Sequence, residues 1–211
     1  MKKTISIITS LFLLMTFSAK AAEWGVGVSG ALHMLEADGT ETARDSGERN
    51  TGSHSEDVQV PELFIEKIAD NGLAIGLSYV PARDVGSKSR SDTNSEGDTG
   101  SYKADAELDN VFQVYTDIPM GDAGVYLKLG IQHVTLVTLE SLNSGSTYPD
   151  EDLMGYTAGL GYKADLPVSN TYYKAEVTYT DFDTYEKTSN GNKVVADLDA
   201  VTARLSVGYN F

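Results

Sequence analysis

Apolar and polar residues alternate with a period of two along much of this chain. The clearest case is its last segment. Val201, Ala203, Leu205, Val207, Tyr209 and Phe211 share one parity; Thr202, Arg204, Ser206, Gly208 and Asn210 share the other. Side chains of a strand point alternately to its two faces, so this pattern predicts a strand with one apolar and one polar face.

Seven further segments carry the same signal, separated by stretches rich in Gly, Ser, Asp, Asn and Thr. The first is Trp24–Leu35, with Trp24, Val26, Val28, Leu32 and Met34 against Gly25, Gly27, Ser29, Ala31 and His33. The second is Val58–Ala69, where Leu63 and Ile65 oppose Glu62 and Glu66. Its parity is imperfect, because Val60, Phe64 and Ile68 share the parity of the glutamates, and Pro61 predicts a bulge or frayed end. Asp70-Asn71-Gly72 is a tight-turn signal leading into Leu73–Val80. Ala104–Ile118 follows, then a Pro119–Asp122 turn, Gly124–Leu139, Met154–Lys163, Thr171–Phe182 and the final strand from about Val194. The distal half of Gly124–Leu139 is apolar on both parities.

The connections alternate long and short. Glu36–Asp57, Pro81–Lys103, Glu140–Leu153 and Asp183–Lys193 read as long, polar, mobile loops, and the others as short turns. A Greek-key sandwich gives no reason for that order. An all-β, eight-stranded antiparallel up-and-down transmembrane β-barrel with both termini on one side predicts it. The aromatic residues agree. Trp24, Tyr162, Tyr173, Tyr209 and Phe211 fall at one end of the threaded strands and Tyr79, Tyr156 and Tyr179 at the other, as two interfacial girdles would. Phe112 alone is assigned to the middle of the outward face.

Residues 1–21 fit a secretory signal. Met1-Lys2-Lys3 is basic, Thr4–Phe17 is mostly apolar, and Ala19-Lys20-Ala21 supplies small residues for cleavage after Ala21. The apolar run is shorter than the ~20 residues of a spanning helix. That leaves 22–211 as one barrel domain. No later apolar run is long enough for a transmembrane helix, so a membrane crossing requires closed strands, which satisfy every backbone polar group internally. There is no cysteine, so no disulfide contributes to stability. The formal charge is −15, and loss of the three signal lysines takes it to −18. Nucleic-acid binding, which needs clustered Lys and Arg, is excluded as a leading class.

In architecture and in the terminal Val207-Gly-Tyr-Asn-Phe211, the chain from Trp24 onward resembles the small eight-stranded barrels of the bacterial outer membrane, the OmpA transmembrane-domain and OmpX type. The resemblance implies that Val207, Tyr209 and Phe211 form a signal for the barrel assembly machinery. It also implies handling by periplasmic chaperones, contact with outer-membrane lipid and lipopolysaccharide, a monomer, external loops and periplasmic termini. Nothing beyond the barrel resembles a peptidoglycan-binding domain.

The polar parity places Glu62, Glu66, Glu107, Asp109, Asp117, Lys128, Lys163, Lys174, Glu176 and Arg204 in the lumen. Eight strands leave only enough width for side chains to fill the interior, and unpaired buried charge is costly. The expectation is therefore a paired charge network, with Arg204 meeting Glu176 near mid-barrel and Lys128 and Lys174 meeting carboxylates of the second and fourth strands. Gly159 and Gly161 leave room for a local water pocket. The leading function is structural and interactive: envelope integrity, surface loops and adhesion. A narrow porin-like channel is the alternative. A lipid A-modifying enzyme is a further one, since Ser53-His54-Ser55-Glu56 holds the residue types of a triad, but triads are defined by convergence in space. His33 and His133 lie towards the outer ends of their strands. Pro149-Asp-Glu-Asp152 and Asp181-Phe-Asp183 offer oxygens that suit hard cations, but neither has EF-hand spacing. They read as solvated loop charge, and no cofactor is expected.

Overall fold

The computed structural model describes residues 23–44, 46–93, 99–141 and 147–211; the expected signal segment lies outside them. They form ten strand segments: β1 (Glu23–Thr42), β2 (Arg49–Ile68), β3 (Ala74–Val80), β4 (Arg83–Thr93), β5 (Thr99–Pro119), β6 (Val125–Ser141), β7 (Glu151–Asp165), β8 (Thr171–Phe182), β9 (Tyr185–Ser189) and β10 (Asn192–Asn210). Antiparallel pairing runs β1-β2-β3-β5-β6-β7-β8-β10, and β10 pairs back onto β1. β4 continues β3 alongside β5, and β9 continues β8 alongside β10. The result is a closed, eight-staved, up-and-down antiparallel barrel, with no helix among the described residues.

Closure is extensive. The β1–β10 ladder runs from Gly25↔Asn210 to Thr42↔Lys193. Trp24 N–H donates to the Phe211 carbonyl at 3.2 Å and Phe211 N–H to the Trp24 carbonyl at 2.8 Å, so the two ends of the barrel chain lie side by side. Short turns sit at that same end. In Asp70-Asn71-Gly72, Gly72 adopts φ 81°, which the turn needs and a Cβ would resist. Asn71 Oδ1 accepts from Leu73 N–H at 3.1 Å.

Two sequence expectations are corrected, and one irregularity is added. Three of the four long connections are strands along much of their described length: β1 and β2 run on as one hairpin, paired from Leu35↔Glu56 to Thr42↔Arg49, and β4–β5 and β9–β10 form others. Of Glu140–Leu153, residues 142–146 lie outside the described residues and 147–150 form no strand. Most positions in the paired stretches are polar and at least partly exposed, so they carry no clear apolar period. Of the bulge or frayed end expected at Pro61, the bulge is absent, since β1–β2 register passes through Gly30↔Pro61 unbroken. Pairing on the other edge of β2 ends nearby, at Leu63↔Tyr79. A bulge does occur in β5, where register with β6 shifts between Asp109 and Phe112 and Asn110 adopts φ 52°.

Candidate functional site

One residue per stave marks the outer surface of the barrel. Leu205, Val28, Leu63, Leu77, Phe112, Leu129, Leu160 and Val177 are all exposed, Leu205 by 69%. Water-soluble proteins do not ring themselves with apolar side chains in this way; this belt is a lipid-facing surface. Trp24, Tyr162, Tyr209 and Phe211 are exposed at the end with the termini, where Tyr162 and Tyr173 lie 6.0 Å apart. Tyr156 and Tyr179 are exposed towards the other end, as is Phe112. Phe112 is not isolated in mid-belt: its ring lies 5.0 Å from that of Tyr79, its partner across β3–β5.

The lumen is filled in layers. Nearer the termini is a charge cluster that alternates in sign. Arg204 donates from Nε to Glu62 Oε2 at 2.5 Å and from Nη1 to Glu176 Oε2 at 3.1 Å. Glu176 meets Lys128 at 2.7 Å, and Lys128 meets Asp117 at 2.9 Å. Lys174 bridges Asp117 at 2.6 Å and Glu66 at 2.9 Å, and Lys163 reaches Glu66 at 3.5 Å. Four carboxylates thus face four cations, all buried except Lys163, which stays a quarter exposed. Burial of such groups is tolerated only when paired, and here every member has at least one partner of opposite sign.

Glu107 and Asp109 lie outside this cluster. The β5 bulge adds a residue to the strand and inverts its parity above Asn110, so Leu108 points inward, fully buried, and its neighbours point out. Asp109 accepts instead from the backbone and side chain of Asn110.

Several members are not singled out by the sequence pattern. His33 Nε2 lies 3.2 Å from Glu62 Oε1, and its Nδ1 lies 2.9 Å from Thr202 Oγ1. Tyr115 and Tyr172 hydroxyls donate to Glu66 at 2.8 and 2.9 Å, and Tyr126 donates to Glu176 at 2.6 Å. A signal for these rings does exist in the sequence. Each inward tyrosine lies opposite an inward glycine: Tyr115↔Gly76, Tyr126↔Gly161 and Tyr172↔Gly208. A Cβ on any of the three glycines would collide with the ring. Gly161 therefore makes room for Tyr126, and Gly159 for the backbone of β8 at Thr178; the expected water pocket is filled.

Beside the charges, Gln113 and Gln132 donate to Thr157 Oγ1 at 3.0 and 3.1 Å, and Thr157 pairs with Thr180 at 2.8 Å. Nearer the hairpins the interior is largely apolar. Ala31, Leu35, Val60, Val80, Leu108, Val111, Val134, Leu153, Phe182 and Ala200 form one apolar plug. Val134 explains why the distal half of β6 is apolar on both parities: one face meets the plug and the other the outer surface. A void lined by Ser29, Ser78, Gln113 and the charged residues is about 10 Å³, room for one water.

The other candidates are dispersed. His54 lies 3.6 Å from Glu56 on the exposed hairpin, and His133 lies 3.7 Å from Asp152 on the outer wall. In the acidic run, Asp150 accepts from Thr138 N–H, Glu151 pairs with Lys187 and Asp152 accepts from Thr135. Among the described residues no group of three His, Asp or Glu is placed to hold a metal ion.

No family model matches the sequence, and no curated protein matches it. Solved structures do. The outer membrane protein OprG from Pseudomonas aeruginosa is 14% identical over 91% of this chain and 97% of its own, with a TM-score of 0.58. Ail of Yersinia pestis, in a phospholipid nanodisc, is 13% identical over 90% of this chain and 100% of its own, at 0.34. The likeness to OprG is one of fold: a small outer-membrane barrel.

Proposed function

We propose that this chain is a solute-tight barrel of the bacterial outer membrane that anchors ordered hairpins on the cell surface, in a structural and interactive role rather than an enzymatic one. The observation that carries this reading is the filled lumen. A paired charge layer and an apolar plug lie in series, and the void beside the charges has room for about one water. An aqueous channel needs a connected polar path, and an apolar cluster in series with the charge layer argues against one. In this reading the termini and short turns face the periplasm, the belt meets lipid and lipopolysaccharide, and the barrel is a monomer within its membrane. Val207, Tyr209 and Phe211, exposed on β10 beside the closing strand, serve as the assembly signal. No cofactor takes part. The deciding experiment is conductance of the purified barrel in a planar bilayer: a silent bilayer supports the sealed barrel, and discrete current steps establish the porin-like alternative.

A further inference from the structure

The β1–β2 hairpin projects past the barrel with one edge uncovered. Residues Arg49–Asp57 of β2 are all exposed. On one side they pair with β1, as far as Met34↔Asp57. On the other, β3 pairs with β2 only from Leu63 to Ile68, and β4 pairs with β5 instead. Among the described residues no strand takes up this edge. Edge strands are usually blunted by brevity, lysine, proline or a bulge. This nine-residue edge carries no lysine, proline or bulge; its charges, Arg49, Glu56 and Asp57, sit at its two ends, and Pro61 lies beyond it. Of the other outer edges, β9 is five residues long and carries Lys187, and β4, which among the described residues pairs only with β5, carries Lys88.

The sequence of the edge is complementary to itself. Pair Arg49–Asp57 antiparallel with a second copy, centred on Ser53, and Arg49 falls opposite Asp57, Asn50 opposite Glu56, Thr51 opposite Ser55 and Gly52 opposite His54. Directly opposed residues share a face, so both Arg–Asp pairs form and no like charges meet. With one arginine against one glutamate and one aspartate, the segment is close to neutral in a chain of net charge −15, so it adds little to the repulsion between two copies.

We propose that Arg49–Asp57 of β2 pairs in this register with the same segment of a second copy standing in an opposing membrane. The direction follows from symmetry. A two-fold axis along the membrane normal preserves the vertical sense of a strand, so copies in one membrane present β2 edges that point the same way. Antiparallel pairing requires an axis in the membrane plane, which places the two barrels in facing membranes. The proposal rests on the reading that the hairpins face outward, and it gives them a homotypic adhesive role.

The test uses the full barrel in phosphatidylcholine vesicles, with vesicle clustering measured by light scattering. Wild-type vesicles cluster. Arg49→Asp vesicles alone and Asp57→Arg vesicles alone remain dispersed like protein-free vesicles, because each opposes like charges in the paired register. Mixing the two variants restores clustering. One end of the mixed pair keeps the native arginine against the native aspartate, and the other opposes the two introduced residues with their signs exchanged. Each variant keeps its heat-dependent gel shift, which shows that it is folded. A Ser53→Cys barrel adds a positional readout, since the chain has no cysteine of its own. Opposed residues of an antiparallel pair lie within disulfide reach, so mild oxidation joins differently tagged copies from two vesicle populations. Dispersed wild-type vesicles, charge-reversed variants that cluster alone, or disulfides confined to one population overturn the proposal. Labelling of the introduced thiol by a membrane-impermeant maleimide separates the causes. An unlabelled thiol refutes the outward orientation, whereas a labelled one without clustering refutes only the edge pairing.

Discussion

Arg204 on β10 stands directly opposite Glu176 on β8, and their side chains meet at 3.1 Å inside the barrel. The same guanidinium closes a two-pronged contact with Glu62 on β2, on the far side of β1. One arginine thus ties strands on both sides of the β1–β10 seam. Two carboxylates lose a partner if it is removed.

Arg204→Ala should therefore destabilise the barrel by about 3–5 kcal/mol, because it leaves Glu62 and Glu176 under-compensated. Removing an exposed hairpin charge, as in Glu186→Ala, should change stability by no more than about 0.5 kcal/mol. Urea unfolding in detergent micelles, read by the gel shift, compares the two. Equal midpoints would show that the lumen cluster contributes nothing to folding.

Gly161 tests the tyrosine layer. Gly161→Ala drives a methyl into the Tyr126 ring, so it should cost about 1–3 kcal/mol and disturb the Tyr126–Glu176 hydrogen bond. Gly30→Ala, at an outward position with nothing within 4 Å, should be near neutral. Unfolding midpoints of the pair check the contrast.

The lipid-facing assignment makes a positional prediction. Leu205→Lys should destabilise by about 2–4 kcal/mol, whereas Thr51→Lys on the hairpin should stay within about 0.5 kcal/mol. Refolding into phospholipid vesicles, with folded fraction scored against urea, measures both. Tolerance of lysine at Leu205 would move the belt elsewhere.

The terminal aromatic is expected to act in assembly rather than stability. Phe211→Ala should lower the folded fraction recovered from cell envelopes while leaving refolding in detergent unchanged. Equal losses in both settings would make Phe211 a structural residue only.

Much of this architecture is legible in period-two alternation. Val201–Phe211 shows β10 directly, and its polar parity places Arg204 against Glu176 once the strands are put in order. Alternation fails wherever the backbone slips by one residue. The bulge at Asn110 turns Glu107 and Asp109 outward, and no residue pattern around it announces the slip. It also fails above the membrane, where two wet faces give Arg49–Asp57 the composition of a loop although it is a strand. His33 looks isolated in the sequence because its partners, Glu62 and Thr202, come from strands distant along the chain. The inward glycines carry a usable signal: opposite each tyrosine they mark a packed ring, not a pocket.

The central claim is that layered packing closes the lumen, and single-channel recording of the purified wild-type barrel in a planar bilayer tests it most directly. The account predicts no current steps at any applied voltage, and none in a Leu108→Ala variant whose plug is thinned while the charge layer is intact. Reproducible steps from the folded wild-type protein would contradict it.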